Sequence, residues 1–383
     1  MLGIVYIFST PLDLISLPVG SPSTILGALF LALWILELLR GRVSLPRHPW
    51  ALAAGVGFVL WSAVTTTWSV VPSITASQSL STGLLLLSAI AIASSFPDQL
   101  RGPAWALLLG SFLLASLTLV LGGQQVYYIG TTELQSQQHT LGSIDENALS
   151  LHLMLGFAAG LFLMRRQVSA RLKIGIVLMV GVLVVTTILV GSRSALGSMI
   201  GMIVLLVLMS AKRVSALVWS VLLIAISLLP IKILADAGMI PDRIVQWVSN
   251  PVASDSRTEI IAMYKQFMGD WFWGGVGAGG DAYYLQSVAS SFQNAHSAFW
   301  KTWIETGIVG LVLWLAFVVA SAIIAIRSHE RDFFLLAGVP ILIYFYTLGP
   351  VNSNMLWAVF GLALGMPAVA KSVGGRGRPT VPA

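Results

Sequence analysis

Long apolar runs, separated by short polar connections, fill almost the whole of this sequence. One helix needs about twenty apolar residues to cross a bilayer. Candidate spans lie near residues 1–18, 23–40, 50–67, 76–96, 103–122, 146–164, 173–191, 194–211, 214–235, 297–326, 333–349 and 352–370. Only 9% of the residues are charged, against roughly 25% in an ordinary soluble domain. We therefore predict an all-α polytopic membrane protein with about twelve transmembrane helices.

The basic residues indicate how these spans are oriented. Cytoplasmic connections retain Lys and Arg. If the N-terminus lies inside, the even-numbered connections and the tail hold most of the 21 basic residues. These are Arg40, Arg42, Arg47, Arg101, Arg165, Arg166, Arg171, Lys173, Lys212, Arg213, Arg327, Arg331, Lys371, Arg376 and Arg378. The charge pattern therefore predicts a cytoplasmic N-terminus and C-terminus.

Two connections on the predicted outer side are long, near 123–145 and 236–296. The second has apolar residues at helical spacing, which predicts short amphipathic helices at the membrane surface. The first twenty residues lack the basic start and the cleavage site of a signal peptide, so we count them as a first, short span. We predict a single transmembrane domain, 1–370, that includes the loop 236–296 between spans 9 and 10. Residues 371–383 are expected to form a disordered cytoplasmic tail.

Composition excludes several classes of chemistry. The chain has no cysteine, so catalysis by a thiolate and metal sites built from Cys are excluded. The net charge of +6 comes from short loops between spans, which indicates orientation signals and no nucleic-acid partner. No H-E-x-x-H motif is present, and we expect no metal and no other cofactor.

Two arginines on the predicted outer side stand where an anion would be bound. Arg193 lies in the turn of "VGSRSALGSMIG" (190–201), beside two serines and the start of a helix. Arg257 lies in the predicted first turn of the helix in "SDSRTEIIAMYKQF" (254–267), where a cation is unfavourable unless an anion is near. The alternatives are an Arg193 side chain that extends to lipid phosphates and a surface salt bridge for Arg257.

Glycines and a histidine mark two further segments. Residues 275–280 in "WFWGGVGAGGDAYY" satisfy G-x-G-x-x-G, but no strand-turn-helix unit surrounds them, so a dinucleotide site is rejected. The glycines are expected to allow sharp turns or a close approach to a headgroup. In "HSAFWKTWIETG", helical spacing predicts that His296, Trp300 and Trp303 share one side of a helix. His296 is suited to take a proton near neutral pH, whereas the tryptophans favour an interfacial belt.

Together these motifs resemble the O-antigen ligase and polymerase superfamily. The resemblance covers residues 60 to 315 and also includes "WSVVPSITASQSL" and "DENALSLHL". Its most specific part is His296 and Ser297, nine residues, and then Gly307, Ile308, Val309 and Gly310. The resemblance implies a glycosyltransferase in the bacterial inner membrane that moves a glycan from undecaprenyl diphosphate to a lipid A-core hydroxyl at the periplasmic face.

The same resemblance implies roles for individual residues. His296 would be the general base, and Arg193 and Arg257 would hold the diphosphate. Five other residues are expected to contact substrate: Lys265, Asp145, Asn147, Tyr284 and Glu305. Tyr283, Tyr284, Trp271 and Trp273 would stack on sugars or lie among lipid headgroups, and His152 is expected to make a buried hydrogen bond.

Two other functions fit the same sequence. A polymerase of this superfamily would use the same lipid-linked donor but a second lipid-linked glycan as acceptor. A twelve-span transporter would carry ionisable groups near the middle of the bilayer. Here these groups gather at the outer face instead, which favours the transferase.

Overall fold

The computed structural model describes residues 1–15, 21–127, 136–140, 145–166, 169–210, 256–291, 294–348 and 352–367. Its helices are α1 (Leu2–Ser9), α2 (Pro22–Leu39), α3 (Pro49–Val64), α4 (Pro72–Ser95), α5 (Arg101–Leu121), α6 (Glu146–Arg165), α7 (Ala170–Val190), α8 (Arg193–Ser210), α9 (Ser256–Gln266), α10 (Met268–Trp271), α11 (Asp281–Ala289), α12 (Ala298–Arg327), α13 (Arg331–Thr347) and α14 (Asn354–Leu364). Short 3₁₀ helices cover Thr10–Leu14 and Thr65–Thr67.

The helical architecture agrees with the sequence prediction in most respects. Seven of the described helices are long and apolar enough to cross a membrane, and three shorter apolar helices cover Leu2–Leu14, Arg193–Met209 and Asn354–Leu364. The predicted ninth span, 214–235, and the tail 371–383 lie outside the described residues. The total of twelve spans therefore stays a prediction.

Two short strands depart from the all-α prediction. β1 (Gly123–Tyr127) pairs antiparallel with β2 (Ser136–Thr140), and Gly123 lies opposite Thr140. These strands were not predicted, because the segment is polar and lacks a clear alternation of apolar residues. The hairpin lies in the first of the two long connections.

Proline begins three of the helices on the N-terminal side. Pro22, Pro49 and Pro72 occupy the first positions of α2, α3 and α4. Proline suits this position because its missing N–H would have no partner there and its φ is already helical. These three prolines therefore mark in the sequence where α2, α3 and α4 begin.

Helix α6 is at the centre of one group of packed helices. It contacts α5, α7, α8 and α13, and most of its side chains are buried. His152 in this helix is buried, with Nδ1 2.7 Å from the carbonyl oxygen of Ala148. The predicted buried hydrogen bond is therefore confirmed.

Helices α3, α4, α12 and α14 pack in a second group beside the first. The last helix approaches α4 closely, because a Cβ at Gly361 would lie 2.6 Å from the carbonyl oxygen of Ala89. Asp13, which interrupts the first apolar run, accepts hydrogen bonds from Ser21 and Asn354, each 2.7 Å long. A partly buried polar contact therefore joins the segment after α1 to the start of α14.

Candidate functional site

Helix α12 is broken at Gly307, in its N-terminal third, and the break organises the site. Gly307 has φ 66° and ψ −175°, a combination that is essentially limited to glycine. The break leaves carbonyl groups of Ile304 and Glu305 without helical donors, and the N–H groups of Val276 and Gly277 donate to them at 2.9 Å each. Residues 272–277 therefore form backbone hydrogen bonds with α12, and we call this segment the splint.

The glycine run lies in this contact and not against a nucleotide or a headgroup. Gly275 and Gly277 have φ of 73° and 103°. A Cβ would lie 2.3 Å from the Glu305 carbonyl oxygen at Gly275, and 2.1 Å from the Ser69 hydroxyl at Gly277. The expected sharp turns are present, and the close approach is to the protein's own backbone and side chains.

A cavity of about 310 Å³ lies next to this contact. It lies between α3, α4, α12, the N-cap of α6, and the described residues near 278, 294–296, 348 and 352. Most of its lining residues are polar: Phe58, Ser62, Gln78, Thr82, Asp145, Ala278, Asn294, His296, Lys301, Thr302, Glu305, Thr306, Leu348 and Asn352. Three predicted site residues, His296, Asp145 and Glu305, therefore meet at one cavity although they are far apart in sequence.

His296 reaches the cavity from a strained turn before α12. Its φ is 42°, in the left-handed region that few residues other than glycine adopt. Helix α12 begins at Ala298. The prediction that His296 shares a helix face with Trp300 and Trp303 is therefore wrong, because the helix starts two residues after the histidine. The two tryptophan rings do stack, with centroids 5.5 Å apart.

A buried ionic triad forms part of the cavity wall. Lys301 Nζ lies 2.8 Å from Asp281 Oδ1 and 2.7 Å from Glu305 Oε1. The second oxygen of Asp281 accepts the N–H of Ala295 at 3.1 Å. Asp281 was not predicted as a site residue, because it resembles an ordinary carboxylate in the first turn of α11.

Asp145 and Asn147 both lie at the N-terminal end of α6. Asp145 caps this helix by accepting the N–H groups of Asn147 and Ala148, each at 2.9 Å. Asn147 accepts a hydrogen bond of 3.2 Å from Ser192, which directly precedes Arg193. The two residues thus connect the cavity to the turn that carries the first predicted arginine.

The two arginines are not among the lining residues of the cavity that the structure describes. Arg193 begins α8, at the end of α6 that carries Asp145. Arg257 lies in the first turn of α9, where the structure describes its backbone. Their proximity to His296 stays a prediction.

The segment that carries α9, α10 and α11 forms a small lobe with its own apolar core. Tyr264, Trp271 and Tyr284 are buried in this lobe. Trp271 and Tyr284 therefore lie neither in the headgroup layer nor on an exposed sugar platform. Trp273 and Tyr283 differ from these residues, with 72% and 38% of their surfaces exposed.

Two predicted substrate contacts have partners within the lobe. The Tyr284 hydroxyl donates to Asp270 at 2.7 Å, and burial, together with that carboxylate, raises the pKa of Tyr284 above its ordinary value. Lys265 Nζ lies 5.1 Å from the centroid of the Trp300 ring, within the range of a cation–π contact. Neither side chain lines the cavity as described.

Comparison with known proteins gives one family. Residues 174–315 match the family model described as O-antigen ligase, a range that includes α8, the lobe and the kinked part of α12. Four chains of solved structures match. One belongs to "Structural coordination of polymerization and crosslinking by a peptidoglycan synthase complex", with 20% identity, a TM-score of 0.43, and coverage of 83% of this chain and 96% of that chain. No curated protein matches.

Proposed function

We propose that this chain is a ligase that joins a lipid-linked glycan to an acceptor hydroxyl. The match of residues 174–315 to the O-antigen ligase family model supports a ligase- or polymerase-like activity on lipid-linked glycans. The apolar helices and the family together indicate a multi-pass membrane protein. In our proposal the donor is a glycan on undecaprenyl diphosphate and the acceptor is the lipid A core.

The observation that supports this proposal best is the lining of the cavity. Its amides, hydroxyls and carboxylates, such as those of Gln78, Asn352 and Asp145, are the groups that hydrogen-bond to sugar hydroxyls. His296 supplies an imidazole at the same surface. Among the described lining residues Lys301 is the one cation, and it is held by two carboxylates, so the diphosphate would need other cations.

We propose that His296 acts as the general base in an inverting displacement. The imidazole takes the proton of the acceptor hydroxyl while the acceptor oxygen attacks C1 of the donor sugar. The bond between C1 and the diphosphate oxygen breaks on the opposite face, and its electron pair leaves with the diphosphate. The products are the new glycosidic bond, undecaprenyl diphosphate and a protonated imidazole, which returns its proton to solvent.

Arg193 and Arg257 are proposed to stabilise the departing diphosphate. A guanidinium forms two parallel hydrogen bonds with phosphate oxygens, and a helix N-terminus favours negative charge. Both arginines occupy the first turn of a helix, α8 and α9 respectively. The negative charge that develops on the leaving group would therefore meet two cations and two helix termini, without a cofactor.

The charge pattern of the connections supports a periplasmic site in the inner membrane. Asp145, Arg193 and the lobe all belong to connections that the positive-inside rule assigns to the outer side. Undecaprenyl diphosphate would enter from the bilayer, and its glycan would extend from the periplasmic surface into the cavity.

Purified protein in proteoliposomes, supplied with lipid-linked glycan and acceptor, tests these assignments. We expect His296→Ala to lower the transfer rate by about 10²–10⁴ and Arg193→Ala or Arg257→Ala by about 10²–10³ each. His329→Ala is the matched control, because this histidine pairs with Asp98 on the predicted cytoplasmic side. A parental rate in the His296 variant would remove the general base from the mechanism.

A deletion strain distinguishes ligase from polymerase. Loss of a ligase leaves long glycans on the lipid carrier and none on the core. Loss of a polymerase leaves single repeat units on the core instead. The second pattern in a glycan blot would replace the proposed acceptor by a second lipid-linked glycan and leave the donor chemistry as it is.

A further inference from the structure

The turn that carries His296 is fixed on both sides by other parts of the chain. The residue before the histidine, Ala295, donates its N–H to Asp281 Oδ2 at 3.1 Å. The residue after it, Ser297, donates its hydroxyl to the Phe345 carbonyl oxygen of α13 at 3.2 Å. His296 therefore lies between two hydrogen bonds, one to Asp281 of α11 and one from Ser297 to α13. We call these two hydrogen bonds the anchors of the turn.

The strain at His296 shows what these anchors do. A φ of 42° in a residue with a side chain costs about 1–3 kcal/mol and persists only where the surroundings hold it. If either anchor were lost, the turn would relax toward a more common backbone conformation. The imidazole would then move relative to the cavity.

Asp281 is itself held rigidly. It is 1% exposed, and its other oxygen lies 2.8 Å from Lys301 Nζ, which also pairs with Glu305. Each oxygen of this buried carboxylate accepts from one donor, Ala295 N–H or Lys301 Nζ, so it cannot rotate without weakening its pairing with the buried cation. The position of the Ala295 N–H is thus tied to the wall of the cavity.

We propose that Asp281, together with Ser297, is a positioning residue that holds His296 in the orientation needed for proton transfer. This inference rests on the proposed function of His296. Neither Asp281 nor Ser297 touches substrate in this proposal. Asp281 acts through the backbone of the turn, and Ser297 acts through its contact with α13. A displacement of about 1 Å at a reacting group can cost roughly 10²-fold in rate.

Two kinds of variants of the full-length protein test the proposal. Asp281→Ala removes the acceptor for Ala295, whereas Asp281→Asn keeps one amide oxygen that must serve either Ala295 or Lys301. We expect kcat to fall about 10- to 100-fold in the Ala variant and less in the Asn variant, with the KM for donor changed less than threefold. Ser297→Ala removes the second anchor and should also lower kcat. Asp332→Ala, at the other end of α13, is the control and should keep the parental kcat.

A second measurement separates positioning from a general structural role. The rate at which diethyl pyrocarbonate modifies each histidine is followed by peptide mass spectrometry. We expect the rate at His296 to change severalfold in the Asp281→Asn and Ser297→Ala variants, while the rate at His329 stays parental. If Asp281→Ala fails to fold, these two milder variants decide the question.

Parental kcat and parental His296 modification in both milder variants would overturn the proposal. A lower kcat with unchanged His296 modification would overturn it as well, since the loss would then come from another effect. Failure of the proposed function has a different signature. In that case His296→Ala transfers glycan at the parental rate, while the modification rates still report whether the anchors hold the turn.

Discussion

Gly307→Ala tests whether the break in α12 builds the site. The new Cβ would lie 2.1 Å from the Trp273 carbonyl oxygen and 2.7 Å from the Gly274 nitrogen. Both neighbours are backbone atoms of the splint, so they cannot rotate away as a side chain would. The alanine must therefore either strain its own backbone or push the splint off the helix.

The cost follows from the contacts that are lost. An alanine held in this backbone region costs about 1–3 kcal/mol. Three hydrogen bonds join the splint to α12, from Val276 to Ile304, from Gly277 to Glu305 and from Ile308 to Phe272, at 2.9, 2.9 and 2.8 Å. Each contributes about 0.5–1.5 kcal/mol. Loss of all three would instead weaken the attachment of the lobe by about 1.5–4.5 kcal/mol, so either outcome is measurable.

Thermal unfolding of the purified protein in detergent, followed by size-exclusion retention, gives the stability readout. Transfer of glycan in proteoliposomes gives the functional one. We expect Gly307→Ala to unfold at a lower temperature and to lose most of its transfer activity, because Glu305 and Thr306 of the cavity wall flank the break. Gly181→Ala is the matched control, since a Cβ there meets no atom within 4 Å, and it should behave like the parent.

A Gly307→Ala variant with parental unfolding temperature and parental activity would refute this reasoning. It would mean that α12 continues through residue 307 as an ordinary helix. The splint and the cavity would then need a different explanation.

Four further results are expected. Trp61→Phe removes the 2.7 Å hydrogen bond from the indole to the Thr306 carbonyl oxygen and should lower stability by about 1–3 kcal/mol, visible as a lower unfolding temperature; an unchanged temperature would contradict this. Lys301→Met leaves its two buried carboxylate partners without a cation and should cost about 3–5 kcal/mol, again measured by thermal unfolding. Because burial and Asp270 raise the pKa of Tyr284 in the folded protein, stability should be full below pH of about 10 and fall above it, and this fall should be shallower in Tyr284→Phe. EDTA should leave transfer unchanged, since the described residues contain no cluster of three or more His, Asp or Glu suited to a metal; inhibition that zinc or magnesium reverses would contradict that.

The sequence predicted the helices well because their signals are local. A span needs only a run of apolar residues, and proline at Pro22, Pro49 and Pro72 marks where helices begin. The buried His152 and the short helices after residue 255 were also predicted, since each depends on neighbours within one or two helical turns. Hairpin β1–β2 was missed because its pairing joins residues without an alternating pattern.

The site was predicted only in part because its contacts are distant in sequence. The residue types at His296, Asp145 and Glu305 suggested chemistry, but their meeting at one cavity depends on the packing of α6 against α12 and the lobe. Asp281 was missed because its partner Lys301 lies twenty residues away. The sequence did contain one signal. Lys301 and Glu305 are spaced i, i+4 on a helix, and a buried lysine of this kind can pair with a second carboxylate, here Asp281.

The break at Gly307 shows the same limit. The spacing of His296, Ser297, Gly307 and Gly310 resembled a family motif, but the sequence did not say why glycine is needed at position 307. The structure supplies the reason, because the carbonyl groups freed by the break bind the glycine run. Two motifs that read as separate are therefore two halves of one backbone contact.

The central claim is that a diphosphate leaves beside Arg193 and Arg257 while His296 faces the reacting sugar. A structure of the protein in a lipid nanodisc with a polyprenyl-diphosphate-linked glycan bound tests this most directly. The account predicts the diphosphate within hydrogen-bond distance of both guanidinium groups, the sugar in the cavity, and His296 on the face of C1 opposite the diphosphate. A diphosphate bound away from both arginines, or a sugar outside the cavity, would contradict it.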